Sequence, residues 1–385
     1  MTIFLILVLI FFFLLIVESV NLGYCTKRIP LRILVNGTRG KSSVTTYIAT
    51  ALKAADKKTF AKITGIIPTI IYPDGSQKII KRKSPARIQE QFKLIRLASK
   101  YSAECLVLEC MSIFPELQKL ESRIFKPHIY IITNIRDDHR EQMGNEEEQV
   151  KAICGAIPSN SIVVTDEKKY LHEIETTARL KNSSVIISDD SVNLSDINLP
   201  FGVIESNVKI AFAVFKSASI EGKTIAKAIE EKINNSEKLL YEFNINGKNI
   251  RFLNGFAVND VSSAKDFLNY WESKLHESKE LNIIFNSRSD RPLRSLAFTA
   301  WISTINKLNK VILMGNHTPR VKLELIRNGI SARKIYFWDK SKIKLSLMYL
   351  NEIAGPNSIF VGLGNIAGGG QLIINLMRQN AFVKI

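Results

Sequence analysis

Residues 32–52 read RILVNGTRGKSSVTTYIATAL: an apolar strand candidate, a glycine turn and a helix candidate in direct succession. This succession restricts the fold more than any other stretch. Such a turn gathers backbone N–H groups and a helix N-terminus around one point, where a phosphate can sit, and its glycines let the backbone approach the anion. The common spacing, G-x-x-x-x-G-K-[ST], would put its first glycine at Val35, but the glycine here is Gly37. A chance G-K-S at a strand–helix turn is the competing account. If the loop is genuine, Gly37, Thr38, Gly40, Lys41, Ser42 and Ser43 form its nucleotide-binding set. Lys41 would reach the terminal phosphates and the Ser42 hydroxyl would ligate Mg2+.

The rest of the chain suits such a loop. Short apolar runs (IPLRILV, CLVLEC, HIYIITN, SIVVTD, SVIISD) alternate with helix candidates at 42–55, 88–100 and 146–156. Strands alternating with helices of that length predict βαβ units and a mostly parallel sheet. Asn246-Gly247, between alternating residues, predicts a hairpin. After it the alternation restarts with LNIIFN, KVILMG, KIYFWD and SIFVGLG, which predicts a second α/β domain entered near residue 250.

The carboxyl ends of parallel strands share one edge, where ligands bind. CLVLEC places Glu109 at that edge; HIYIITN ends in Asn134 and leads to Asp138 and His139. Lys41, Glu109 and His139 are therefore expected to converge, with Glu109 as a hard oxygen ligand for Mg2+. His128, His172, His276 and His317 have no comparable setting and read as structural or surface residues.

The N-terminus differs in kind. Residues 3–17 are uninterrupted apolar residues, and with Val20, Leu22 and Tyr24 the segment approaches the ~20 residues that span a bilayer. No Lys or Arg precedes the run, whereas Lys27, Arg28 and Arg32 follow it. That order favours a retained single-pass anchor over a cleaved signal peptide, with the bulk of the chain in the cytoplasm. A net charge of +17 favours anionic partners, but no nucleic-acid recognition motif accompanies it, so nucleic acid is not an expected partner. Cys25, Cys105, Cys110 and Cys154 form no C-x-x-C pair and are expected to be reduced.

The motifs NGTRGKSSVT, KITGIIPTIIYPDG, LECMSIFPELQ, TNIRDDHREQMG, FLNGFAVNDVSSAKDF, NSRSDRPLRS and VGLGNIAGGG occur in order over nearly the whole chain. Together they resemble the Mur ligase superfamily, and within it the ATP-ligase subunits of poly-γ-glutamate synthases that build capsules. In that superfamily the phosphate loop reads G-T-x-G-K-[ST], which accounts for Gly37. The resemblance implies an α/β fold: a membrane anchor (1–24), a Mur-ligase-type, P-loop ATP-binding domain (28–250) and a Rossmann-like C-terminal domain (251–385). It implies that Lys41 and Ser42 bind ATP phosphates and Mg2+, that Thr64 sits beside the terminal phosphate and metal, and that Glu109 and His139 ligate the first and second Mg2+. Asn134 and Asp138 complete the histidine motif. Asp260 matches a ribose-contacting aspartate, and Arg288 and Arg291 would reach phosphate or substrate carboxylate. One position departs from the pattern. Many relatives carry a carbamoylated lysine fifteen residues after the histidine, where this chain has Cys154; Lys151 lies one helical turn earlier. Either Lys151 substitutes, or the second Mg2+ is held without a carbamate, which is the preferred expectation.

The implied activity is ATP-dependent ligation of γ-glutamyl units through an acyl phosphate, releasing ADP and phosphate. The implied partners are glutamate, the poly-γ-glutamate chain, the membrane and small integral-membrane subunits. The competing reading is a membrane-tethered ATPase that assembles or drives export of a polymer made by a partner.

Overall fold

A computed structural model describes residues 2–65, 68–82, 86–136, 143–188, 199, 204–218, 223–234, 239–258, 260–275, 280–338 and 346–380. The chain divides into two compact units, Met1–Ser236 and Glu237–Ile385.

In the first unit, β1 (Leu31–Asn36), β2 (Thr59–Ile63), β3 (Thr69–Ile71), β4 (Gln77–Ile79), β5 (Cys105–Glu109), β6 (Ile129–Ile132), β7 (Ile162–Thr165) and β8 (Ser184–Ile187) form one sheet. Their order is β4-β3-β2-β5-β1-β6-β7-β8. The six strands from β2 through β8 in that order run parallel. β3 and β4 add an antiparallel extension that the alternation of strands and helices did not predict. The parallel strands are mostly apolar, as strands with both faces covered are, with Arg32, Lys62 and Glu109 as buried charged exceptions. Leu34, Leu106, Leu108, Tyr130 and Ile132 enter one core. The alternate residues Ile33, Val35, Val107, Ile129 and Ile131 enter the other.

On the first face lie α1 (Thr2–Lys27), α3 (Gln89–Lys100), α4 (Pro115–Phe125), α5 (Glu146–Gly155) and α6 (Leu171–Leu180); on the second lie α2 (Lys41–Ala54), α7 (Glu205–Ser217) and α8 (Lys223–Asn234). In α2, Val44, Ile48 and Leu52 recur at four-residue spacing and are fully buried. An Asn145/Glu148 capping box starts α5.

The N-terminal helix is long and apolar enough to cross a membrane. It continues beyond residue 24. Leu22 and Thr26 are buried, and Glu18 pairs with Arg96 of α3. Arg32 then joins three elements: its guanidinium donates to the carbonyls of Thr26 and Ile29 and to those of Phe125 and Lys126 at the end of α4.

The second unit holds β9 (Leu240–Ile245), β10 (Lys248–Asn254), β11 (Glu280–Ser287), β12 (Leu308–Gly315), β13 (Ile335–Phe337) and β14 (Ser358–Gly364), ordered β13-β12-β11-β14-β10-β9. All pairings are parallel except β9–β10. That hairpin turns at Asn246 and Gly247, with φ of 50° and 77°, as a two-residue turn of this hand requires. The helices are α9 (Val261–Lys274), α10 (Pro292–Ile302), α11 (Thr318–Arg327), α12 (Ser346–Ile353) and α13 (Gly369–Asn380).

Candidate active site

β1 lies between β5 and β6, so the loop leaving it opens onto the carboxyl ends of both neighbours. Val35 pairs in register with Glu109, and Asn36 with Ile132. The loop glycines take backbone angles that side chains resist: φ is 120° at Gly37 and 81° at Gly40, the residue that caps α2.

Glu109 is 3% exposed, and its Oε2 accepts from Ser42 Oγ (2.9 Å) and from the Thr64 backbone N–H (2.7 Å). Three distant segments therefore meet at one carboxylate oxygen. Lys41 Nζ folds back over the loop and donates to the Gly37 carbonyl at 2.6 Å. Ser43 follows at the third position of α2, partly buried.

Asn134 is also brought to the loop, and its amide is committed to it. Its Oδ1 accepts from Thr38 Oγ1 (2.9 Å) and Arg39 N–H (3.1 Å), and its Nδ2 donates to Arg39 O (3.2 Å). The Asn134 carbonyl accepts from Thr38 N–H (2.9 Å). Asn134 thus holds the loop's shape. Asn36 works from the other side and escaped the sequence reading. Its Oδ1 accepts from Gly37 N–H, while its Nδ2 donates to Gln118 and Tyr130. The available signal was a polar residue closing an apolar strand just before the loop.

Asp138, His139 and His276 lie outside the described residues. Cys154 is 3% exposed in the core of the first unit, and burial pushes its thiol up to about 12. Lys151, one turn earlier on α5, is exposed to solvent. Among the described residues, no group of three or more His, Cys, Asp or Glu side chains forms a metal cage.

In the second unit, Asp260 caps α9: its Oδ1 accepts from Ser263 N–H and its Oδ2 from Ser263 Oγ, both at 2.8 Å. Arg288 forms a two-pronged pair with Asp290, and Arg291 lies 3.9 Å from the same carboxylate. The glycine-rich turn from β14 into α13 is braced by Asn286, which donates to the carbonyls of Asn365 and Ala367.

Residues 35–250 match the Mur ligase middle domain, and residues 240–380 match the C-terminal domain of poly-gamma-glutamate synthase CapB. The capsule biosynthesis protein CapB of Bacillus anthracis is 29% identical over 371 residues, covering 92% of this chain and 78% of that protein. The PGA synthase CapB of Bacillus subtilis (strain 168) is 28% identical over 362 residues, covering 91% of each. Among solved structures, E. coli FolC in complex with ADP superposes with a TM-score of 0.68 at 14% identity, covering 93% of this chain and 92% of that one. A bifunctional folylpolyglutamate synthase/dihydrofolate synthase with Mn, AMPPNP and L-glutamate bound gives 0.67 at 13% identity, covering 94% and 92%. The chain belongs to the Mur ligase family of ATP-dependent amide ligases.

Proposed function

We propose that this ligase adds glutamate through γ-linkages to a poly-γ-glutamate chain, with the glutamyl carboxylate activated as an acyl phosphate by ATP. The observation that carries the reading is the meeting of Ser42 and Thr64 on the buried carboxylate of Glu109, beside the loop that Lys41 covers. The relatives named as capsule and PGA synthases supply the polymer, and the solved ligase with bound L-glutamate supports the amino acid.

The donor set suits a hard divalent cation, which we take to be Mg2+. Ser42 Oγ and the Glu109 carboxylate are neighbouring oxygens, and Mg2+ is commonly held by one or two carboxylates together with substrate phosphates. Ser42 and Glu109 would hold it, with Thr64 alongside; bound there, it offsets negative charge on the phosphoryl group. His139 is assigned to a second ion, held without a carbamate; buried Cys154 and solvent-facing Lys151 support that choice.

The chain's own groups do the remaining work. The loop N–H groups and the N-terminus of α2 receive the phosphates. Lys41 exchanges its carbonyl contact for a phosphate oxygen and stabilises the charge that develops there. The carboxylate displaces ADP from the γ-phosphorus, and the incoming amine then displaces phosphate, forming the amide. Asp260, Arg288 and Arg291 are assigned to ribose and to phosphate or substrate carboxylate. In this reading α1 anchors the protein as a single span, with the catalytic units cytoplasmic and small integral-membrane subunits as partners.

Hydroxylamine trapping tests the chemistry. A hydroxamate that forms only with ATP and glutamate or its polymer supports acyl phosphate formation. ATP turnover indifferent to any carboxylate supports a membrane-tethered ATPase instead.

A further inference from the structure

Helix α3 turns Leu94, Ile95 and Ala98 into the core, and the same stripe begins with a polar residue, Gln91, only 2% exposed. Its amide reaches the end of β5. Nε2 donates to the backbone carbonyl of Glu109 (3.1 Å) and to Glu121 Oε1 (2.6 Å), while Oε1 accepts from Lys62 Nζ (3.2 Å). Lys62 is fully buried and is also held by Glu90 Oε2 at 3.2 Å. Glu121, 2% exposed, accepts in addition from Ser112 Oγ at 2.7 Å.

An amide can be turned over, but this one cannot without penalty. Flipping it would face its NH2 against the Lys62 ammonium and its oxygen against the Glu121 carboxylate. Cation and anion thus fix the orientation in which both N–H bonds are used, one of them on Glu109. Burying two charged side chains is costly, and an apolar replacement would serve packing at least as well. What the arrangement supplies is a fixed backbone at the residue whose carboxylate meets Ser42 and Thr64.

We propose that Gln91 is a positioning residue for Glu109, oriented by the buried Lys62 and Glu121 on either side of its amide. The inference rests on the reading of Glu109 as the metal carboxylate. Partners that orient ligands from behind typically change metal affinity about 10- to 100-fold when removed.

The test uses the full chain in detergent, with Mn2+ as probe and a non-hydrolysable ATP analogue. Free Mn2+ is followed by its paramagnetic resonance signal, and analogue binding without metal is measured in parallel. Gln91→Met keeps the volume but cannot donate; it should weaken Mn2+ binding about tenfold or more, with metal-free analogue binding unchanged. Glu121→Gln leaves Gln91 in place and loosens its orientation; it should weaken Mn2+ binding in the same direction by a smaller factor, and serves as the readout if Gln91→Met does not fold. Unchanged Mn2+ affinity in the folded variant overturns the proposal, as does equal loss of metal-free analogue binding. Glu109→Gln separates the two levels. If it leaves Mn2+ binding intact, the site assignment itself is wrong; if it abolishes binding while the other variants are silent, only the role of Gln91 is wrong.

Discussion

Ser42 Oγ donates to Glu109 Oε2 across 2.9 Å, joining the first turn of α2 to the end of β5. The bond pre-orients a hydroxyl and a carboxylate that lie 67 residues apart in sequence. Ser42→Ala removes one oxygen but leaves Glu109 its Thr64 N–H. The variant should fold normally and need about 10- to 100-fold more divalent cation for half-maximal ADP release. Among the described residues, Lys41→Ala removes hydrogen bonds to the Gly37 and Thr38 carbonyls and no others, so it too should fold. Its ATP-dependent turnover should fall by a factor on the order of 10²–10³. Normal polymer synthesis by the Lys41 variant would contradict the site assignment.

The loop's shape can be tested apart from its charge. A Cβ at Gly37 would stand 2.2 Å from Thr133 Oγ1 and 2.9 Å from two backbone atoms, at a φ of 120°. Backbone cannot move aside as a side-chain tip can. Gly37→Ala should cost about 1–3 kcal/mol of stability and eliminate nucleotide binding. Gly247→Ala is the control, with positive φ but nothing within 4 Å, and should cost less. Denaturant midpoints compare the two; equal losses would mean that φ alone, and not the close packing behind the loop, sets the cost.

Local pattern carried much of this fold. The helix expected at 42–55 forms at Lys41–Ala54, because Val44, Ile48 and Leu52 keep helical spacing. The hairpin at Asn246-Gly247 forms because both residues accept positive φ. Glu109 reached the site through its place at a strand end, which any parallel sheet would impose. The antiparallel pair β3–β4 was not legible, since Thr69–Ile71 and Gln77–Ile79 are too short to establish a period. Gln91 was readable as a polar residue on an apolar stripe, but its link to Glu109 depends on packing between α3 and β5. Asp260 shows the reverse limit: Asp followed by an apolar residue and two serines reads equally as a helix cap, and both its oxygens serve one.

His128 gives the first unit a pH dependence. Its Nδ1 accepts from Arg32 N–H at 3.2 Å, and its Nε2 lies 3.1 Å from Arg32 Nη2. Burial, then the Arg32 charge, holds the imidazole below its usual range, although the residue keeps an exposed edge. A depressed folded pKa means that the neutral ring is favoured on folding. The contribution is therefore complete above the unfolded value, about 6.5, and is lost as pH falls through the lowered folded value. The urea midpoint of the wild type should fall more between neutral and mildly acidic pH than that of His128→Gln. Parallel behaviour of the two proteins would remove His128 as the cause.

The cysteines should be inert while the protein is folded. Cys105, Cys110 and Cys154 are buried, and burial raises Cys105 to about 11 and Cys154 to about 12. Only the partly exposed Cys25 is accessible. Since the thiolate is the reactive species, alkylation at mildly alkaline pH should modify at most one thiol per folded chain and four after denaturation. Rapid labelling of Cys154 in folded protein would show that α5 is not packed as described.

The end of α1 belongs to the first unit, which makes the point of truncation matter. Residues 3–7 and 9–17 are exposed, whereas Leu22 is 6% exposed and Glu18 pairs with Arg96. Deleting residues 2–17 should release the protein from membranes and leave its denaturant midpoint nearly unchanged. Deleting through residue 24 also strips Leu22 from the core, a loss of about 1.5–3 kcal/mol. The longer deletion should therefore unfold at lower urea although both remain soluble. Equal midpoints would mean that the last turns of α1 contribute nothing to the first unit, and a pellet-bound short deletion would mean that surfaces other than the apolar helix hold the protein to the membrane.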